Sequence, residues 1–357
     1  MKTLVYTFLF LIFISCSSDN QDFEKNKIYS KWVDVKLDFA RNFKLQRNLD
    51  DSTTFKVSII NPFINDTITY ITAENKRSLV MMANNIGFFS ALNLQDNIIA
   101  VSRFKYIYDS ILNSKIAADM LIEVGDMVSI NKELVYSSSP DYIISSGFQT
   151  TYADLIWLPS NIKALITYEW LEKHPLATLE WIKVYGALFG EYEKSEKYFS
   201  QLKNNYTSLK NENVSDSKNS ILSGSLYGDI WYTPGGESYK GVLYADANIA
   251  YHFADDTTTG SIPLSIEEVI NYQNDADFWC SSLEVKSLKD LKKMNPIYKE
   301  FNCVKKGRVY LSNKLMNNKN INGFWEQYQV RPDLYLNDMI SITNDLDTNL
   351  YFFKKLD

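Results

Sequence analysis

Hydrophobic and polar residues in the first part of the chain give mixed strand signals. Residues 55–60 and 67–71 are strand-like runs, and Asn61-Pro62 and Asn65-Asp66 interrupt them. Such breaks are typical of the edges of hairpins. Residues 28–75 are therefore predicted to form a strand-rich N-terminal extension.

From residue 78 onwards, short apolar runs alternate with stretches of helical periodicity. The apolar runs are residues 79–83, 98–101, 142–145 and 164–167, and the helical stretches are residues 86–92, 107–112 and 130–136. Strands that are apolar on both faces and separated by helices are typical of a parallel sheet covered by helices. Residues 76–190 are predicted to form an N-terminal α/β lobe.

The middle of the chain has helical periodicity. Pro175 fits the first turn of a helix and Gly190 fits a helix C-cap. The next helix is predicted over residues 191–211, with a length of about 30 Å. Strand-like runs then return in residues 212–357. The predicted fold class is α/β, with two lobes joined by a single long interlobe helix.

The first 16 residues have the form of an export signal. Lys2 precedes an apolar run over residues 4–14, and Ser15 and Cys16 follow it. The run is too short to span a bilayer as a helix. The segment Phe13-Ile14-Ser15-Cys16 resembles a bacterial lipobox, with Phe13 in place of the usual Leu, which implies lipidation of Cys16. An unmodified cysteine or an uncleaved anchor are the alternatives. Residues 17–27 are polar and predict a solvated tether.

Charge and motifs exclude several classes of function. The net charge is −6, and the Lys and Arg residues are scattered, so no basic footprint for nucleic acid is present. The sequence contains no nucleophile elbow, phosphate loop or metal-ligating His pair. We therefore expect a protein that is not an enzyme. Aromatic residues make up 14% of the chain, enough to line a pocket for a large ligand as well as the core.

Cysteines and histidines give little support for a metal site. Besides Cys16, only Cys280 and Cys303 are present. A disulfide bridge and two buried free thiols are both compatible with an exported chain. His174 and His252 are the only histidines, too few for a site that binds a bare transition metal. No metal site is predicted.

Six segments, in order, resemble the class III (cluster A) periplasmic binding proteins that serve importers of iron-siderophores, haem and cobalamin. The most specific is Val124-Gly125-Asp126, Asn131-Lys132-Glu133 and Pro140-Asp141-Tyr142-Ile143. The others lie at residues 92–102, 175–183, 263–279, 304–310 and 331–334, with Asn93 in place of the family's usual Gly. The resemblance implies two Rossmann-like lobes and a ligand cleft between them.

The same resemblance gives two glutamates a role. Members of this family use one exposed glutamate on each lobe to dock onto arginines of the membrane permease. The matching positions are Glu133 and Glu267. The alternative is that both are ordinary carboxylates at helix starts, where they interact favourably with the helix dipole.

Candidate ligand contacts follow from the rule that ligands bind outside the carboxyl ends of parallel strands. The alternative for each candidate is an ordinary core or surface residue. The candidates are Asn84, Phe88, Tyr106, Tyr108, Ser146, Gly147, Tyr227, Trp231, Tyr232, Trp279 and Trp325.

The expected ligand is a metal that is already chelated, because shape, aromatic contact and hydrogen bonds replace direct coordination in such a site. We expect a ferric siderophore first, cobalamin second and haem third, with no resident cofactor. The expected partner is an inner-membrane ABC permease, and the chain is expected to be a monomer anchored to the membrane on its periplasmic side. A surface lipoprotein that binds glycans through exposed aromatics is the alternative.

Overall fold

The structure of the chain is a computed structural model that describes residues 31–72, 76–147, 153–213, 219–346 and 349–357. The predicted signal with Cys16 and the predicted tether lie outside the described residues. Trp32–Asp357 forms one compact unit. Among the described residues, no helix is long and apolar enough to cross a membrane.

The N-terminal part of this unit is a four-stranded antiparallel sheet. Its strands, in spatial order, are β1 (Trp32–Asp34), β2 (Phe43–Asn48), β3 (Phe55–Asn61) and β4 (Asp66–Ile71). In β3 the alternate residues Phe55, Val57 and Ile59 are buried. The period-two pattern therefore places one face of the sheet against the rest of the protein.

The N-terminal lobe contains a five-stranded parallel sheet in the order β7-β6-β5-β8-β9. The strands are β5 (Ser78–Val80), β6 (Ile98–Val101), β7 (Ile122–Glu123), β8 (Tyr142–Ser146) and β9 (Lys163–Thr167). The helices are α1 (Ala83–Ala91), α2 (Ser110–Ala117) and α3 (Lys132–Ser138). All five residues of β8 are buried, as expected for a strand covered on both faces.

Three helices lead out of this lobe: α4 (Pro175–Glu180), α5 (Ile182–Phe189) and α6 (Tyr192–Glu212). Pro175 occupies the first turn of α4, and Gly190 caps α5 with a φ of 79°. Every residue of α5 is buried. The polar helix α6 packs against α5 on one side.

The C-terminal lobe contains two sheets. A five-stranded sheet has the order β13-β10-β15-β16-β17, and a three-stranded antiparallel sheet has the order β11-β12-β14. The strands are β10 (Ser220–Ser223), β11 (Ser225–Tyr227), β12 (Ile230–Pro234), β13 (Ala250–Tyr251), β14 (Ser261–Leu264), β15 (Phe278–Ser281), β16 (Val309–Leu311) and β17 (Lys354–Lys355).

The remaining helices belong to the C-terminal half of the chain. They are α7 (Tyr239–Asp246), α8 (Ile266–Gln273), α9 (Leu288–Met294), α10 (Asn302–Lys305), α11 (Phe324–Gln327) and α12 (Pro332–Thr343). Short 3-10 turns lie at Gln95–Asn97, Phe104–Tyr106, Ala153–Leu155, Glu169–Leu171 and Pro296–Glu300. The predicted α/β class with two lobes and a long connecting helix is confirmed.

A second crossing between the lobes was not predicted. After β16 the chain returns to the N-terminal lobe, where α11 packs on α1, and α12 then packs along α6. The lobes are therefore joined by the connecting helices and also by this C-terminal return.

The N-terminal sheet is fastened to the connecting helices by two buried carboxylates. Glu180 accepts hydrogen bonds from the backbone N–H groups of residues 38–40 at 2.8–2.9 Å. Glu172 accepts bonds from the backbone N–H groups of residues 41 and 42 at 2.9–3.1 Å. Burial raises the pKa of Glu172, and these N–H groups oppose the shift. The extension is thus an integral part of the unit.

Candidate functional site

The carboxyl end of β9 lies at the centre of the candidate ligand site. The segment Tyr168, Glu169 and Trp170 follows directly after Thr167, the last residue of the strand. The ring of Tyr168 occupies the space beside Gly147, where a Cβ would lie 2.2 Å from the ring carbon Cε1. Any larger residue at 147 would displace this ring, so the two positions are matched.

Beneath this segment lies a network of buried polar groups. Glu169 is buried and accepts a hydrogen bond from the side-chain amide of Asn84. The amide of Asn85 donates to Thr167 Oγ1 at 3.2 Å and to the Tyr185 hydroxyl at 3.0 Å. Burial raises the pKa of Glu169. This network fixes the base of the site, because buried polar groups hold one another in defined orientations.

The two lobes approach each other next to Trp170. A Cβ built on Gly260 of the C-terminal lobe would lie 4.0 Å from Trp170 Cζ3. Close by, Lys173 forms an ion pair with Glu237, which precedes α7 of the C-terminal lobe. Residues that follow the strand ends of one lobe thus face loops of the other lobe. Ligands of α/β proteins bind in the crevice at such strand ends.

The C-terminal return contacts the N-terminal lobe through Glu326 of α11. Its carboxylate accepts hydrogen bonds from the backbone N–H groups of Tyr108 at 2.5 Å and Asp109 at 2.9 Å. Two glycines allow the close approach. A Cβ on Gly87 would lie 1.8 Å from the backbone oxygen of Glu326, and a Cβ on Gly323 would lie 2.7 Å from the Tyr108 ring. Tyr108 therefore lies where the C-terminal return packs on the N-terminal lobe.

The structure brings together three of the predicted contacts. Asn84, bonded to Glu169, Ser146 at the end of β8, and Gly147 beside Tyr168 lie at the strand ends of the N-terminal lobe. Tyr108 lies apart from them, where α11 packs on the N-terminal lobe. Four other candidates are exposed aromatics that the structure does not place in contact with this group: Tyr106, Tyr227, Tyr232 and Trp325.

Three predicted contacts are wrong, because their side chains are 0% exposed and belong to the core: Phe88, Trp231 and Trp279. Phe88 stacks on Tyr185 with ring centroids 4.8 Å apart. The two tryptophans lie 5.5 Å apart, and their indole N–H groups donate to the backbone oxygens of Ser223 and Gly224. These side chains have no free surface to offer a ligand.

The sequence analysis missed Tyr168, Glu169 and Trp170. The rule that selected residues after the other strands applies equally to the run 164–167, so Tyr168-Glu169-Trp170 was available as a signal. Phe63 was also missed. It belongs to the N-terminal sheet, and its ring lies 6.3 Å from the rings of both Tyr168 and Trp170.

The two glutamates implied by the resemblance occupy equivalent local settings. Glu133 is the second residue of α3, whose N-cap is Asn131, and Glu267 is the second residue of α8, whose N-cap is Ser265. Both side chains are exposed. Each N-cap side chain accepts a backbone N–H bond, which fixes the start of the helix.

Metal-ligating side chains are dispersed in the described part of the chain. It contains no group of three or more His, Cys, Asp or Glu residues placed to hold a metal ion. Cys280 and Cys303 are buried free thiols, which decides between the two alternatives left by the sequence. Burial raises the pKa of the Cys303 thiol to about 12.

Comparisons with known proteins agree with this architecture. Residues 82–314 match the family model described as periplasmic binding protein. An uncharacterised lipoprotein of Methanocaldococcus jannaschii is 24% identical over 325 residues, which are 87% of this chain and 75% of the relative.

Solved structures also share the fold. The ABC-type Fe3+-hydroxamate transport protein of Saccharomonospora viridis has a TM-score of 0.60 at 16% identity, covering 80% of this chain and 98% of its own. The triscatecholate siderophore binding protein of Bacillus subtilis has a TM-score of 0.59 at 16% identity, covering 79% and 97%. The periplasmic haem-binding protein of Vibrio cholerae has a TM-score of 0.57 at 14% identity, covering 76% and 99%.

The fold and the cleft define a two-lobed solute-binding protein. The match over residues 82–314 covers more than half of the chain, so the chain belongs to the periplasmic binding protein family. The resemblance seen in the sequence is thereby confirmed. The family is one of binding proteins rather than enzymes.

Proposed function

We propose that this chain is the substrate-binding component of an ABC importer and that it captures a chelated metal between its two lobes. The observation that carries the proposal is the meeting of Trp170, which follows the last strand of one lobe, with the loop at Gly260 of the other. The buried network of Asn84 and Glu169 supports this segment from below.

The ligand class follows from the chemistry of this region. The described residues offer no cluster of side chains for a bare metal, whereas the half-buried rings of Trp170 and Tyr108 supply ring surface. A chelate presents a large surface of its own, which suits recognition by rings and hydrogen bonds. We propose a ferric siderophore first, cobalamin second and haem third. The names of the siderophore- and haem-binding proteins with this fold support this class.

We further propose that the protein is exported and anchored in the membrane through a lipid on Cys16. The basic and apolar start of the sequence and the cysteine at its end support this. The name of the lipoprotein from M. jannaschii supports it as well. The anchor would hold the binding protein close to its permease.

Docking onto the permease would use Glu133 and Glu267. Each is an exposed carboxylate at the start of a helix, one on each lobe. Two charges on separate lobes of one unit set the orientation of a docked partner and steer its approach, more than they add affinity. The helix dipole favours carboxylates at these positions as well, so stability alone does not reveal the docking role.

The experiment is a thermal-shift screen of the full chain in mild detergent against ferric siderophores, cobalamin, haem and free metal ions. A ligand at 100 times its Kd adds about 2.7 kcal/mol to native stability, which is readily detected. Trp170→Ala should reduce the shift, and Tyr136→Ala, an exposed ring on α3, is the matched control.

A shift with one chelate that Trp170→Ala weakens would support the proposal and name the ligand. A shift with oligosaccharides and with no chelate would contradict it and favour the glycan-binding alternative.

A further inference from the structure

The tip of the β3–β4 hairpin carries two exposed apolar side chains. Phe63 is 63% exposed and Ile64 is 69% exposed. Turn tips favour Gly, Pro, Asn, Asp and Ser, and the flanking Pro62 and Asn65 follow this preference. Two adjacent large apolar residues at a solvated tip are unfavourable unless they contact something else.

The hairpin that carries the tip is fastened to the rest of the protein through the other end of β4. The side-chain oxygen of Asn61 accepts a hydrogen bond from the backbone N–H of Phe63 at 3.0 Å. Further along β4, the Tyr70 hydroxyl donates to the backbone oxygen of Ala164, in β9, at 2.5 Å. Thr72 donates to the backbone oxygen of Ala187 in α5 at 2.8 Å. The hairpin is therefore fixed to the strand whose end forms the candidate site.

The position of the tip is the decisive observation. The Phe63 ring lies 6.3 Å from Tyr168 in an edge-on arrangement and 6.3 Å from Trp170 at a tilt of 40°. Trp170 in turn faces Gly260 of the opposite lobe. Phe63 therefore stands at the rim of the cleft beside Trp170 and extends its aromatic surface outward, and the exposed Ile64 follows it at the tip.

We infer that Phe63 and Ile64 form an apolar wall of the ligand site and select chelates with flat aromatic surfaces. Aromatic rings stack on one another more favourably than on flexible aliphatic chains. A ferric tris-catecholate is thus preferred over a ferric tris-hydroxamate with an aliphatic backbone. The inference rests on the proposed function. The hairpin lies outside residues 82–314, so this wall is added to the part of the chain that matches the family.

The test is an equilibrium titration of the full chain in detergent with a ferric tris-catecholate and a linear ferric tris-hydroxamate. The variant is the double substitution Phe63→Ser with Ile64→Ser. The matched control is Leu49→Ser, an exposed apolar residue in the β2–β3 hairpin at the opposite end of the same sheet. Because all three residues are exposed, folding is retained in each variant.

The double variant is expected to weaken tris-catecholate binding at least tenfold, while the hydroxamate affinity and the Leu49→Ser protein remain unchanged. Equal tris-catecholate affinity in the double variant and the wild type would overturn the inference and leave the proposed function intact. Failure of the wild type to bind any chelate would instead contradict the proposed function itself.

Discussion

Glu133 and Glu267 occupy the same position in two separate helices, each being the second residue after a capped helix start. One helix belongs to the N-terminal lobe and the other to the C-terminal lobe. Their repetition on opposite lobes suits a partner that contacts both lobes at once. Because both side chains are exposed, neither has a packing role.

Replacing both glutamates should separate transport from binding. Glu133→Ala with Glu267→Ala is expected to abolish uptake of the ligand by cells, because both charges that orient the permease are lost. The affinity for the ligand should stay unchanged, since neither residue lies at the β9 end. Labelled-ligand uptake and equilibrium titration measure the two effects. Normal uptake by the double variant would exclude the docking role.

Glu180 should be essential for the attachment of the N-terminal sheet. Glu180→Ala removes the acceptor of three backbone N–H groups and one partner of the buried Lys183, at 3.0 Å. The free energy of unfolding should fall by about 3–5 kcal/mol, because buried donors lose their partner. Urea denaturation measures the loss.

The control for Glu180 is Glu193→Ala, which also links the extension to a helix, through Arg47 at 2.7 Å. This pair is largely exposed, so its removal should cost less than about 1 kcal/mol. Equal effects of the two substitutions would show that the buried carboxylate does not fasten the sheet.

Gly87 should tolerate no side chain. In Gly87→Ala the new Cβ would lie 1.8 Å from the backbone oxygen of Glu326, so α1 and α11 must separate. We expect a loss of about 1–3 kcal/mol in stability, despite the higher helix propensity of alanine. Gly260→Ala is the control, because its Cβ meets only the Trp170 ring at 4.0 Å. A stable Gly87→Ala protein would disprove the tight contact between α1 and α11.

The contact of Glu326 with Tyr108 predicts a pH dependence. Burial raises the pKa of Glu326 from 4.5 to about 8, while the N–H groups of Tyr108 and Asp109 oppose the shift. The folded state therefore binds this proton more tightly than the unfolded state. The stability from this group is complete below about pH 4.5 and is lost as the pH rises through about 8.

In Glu326→Gln this contribution disappears. The difference in unfolding free energy between pH 5 and pH 8 should shrink by about 1 kcal/mol or more. Burial also raises the pKa of Asp338, to about 6. Both proteins therefore still lose some stability between pH 5 and pH 8 because of Asp338. Urea denaturation at the two pH values measures the difference. An unchanged difference in the variant would contradict the shift at Glu326.

The sequence predicted the architecture because its signals are local. The strand-like run at residues 55–60 and the apolar runs of the parallel sheet show where the strands lie. Their buried faces fix how the sheets pack against the rest of the protein. The strand-end rule likewise selected Asn84, Ser146 and Gly147. The same rule would have selected Tyr168 and Trp170 had it been applied after residue 167.

The failures have two physical causes. Trp231 and Tyr232 are neighbours in β12, and adjacent strand residues point to opposite faces, so only one of them reaches solvent. Phe88 is buried because Tyr185, nearly 100 residues later, stacks on it. Contacts between distant segments also place Phe63 at the cleft and Glu326 on Tyr108. No local pattern encodes such pairings.

The most direct test of the account is an isothermal titration of the full chain in detergent with a ferric tris-catecholate siderophore, followed by cobalamin and haem. The account predicts saturable binding of one chelate per chain, weakened by Trp170→Ala and unchanged by Glu133→Ala with Glu267→Ala. Absence of binding to every chelate, together with binding of an oligosaccharide, would contradict it.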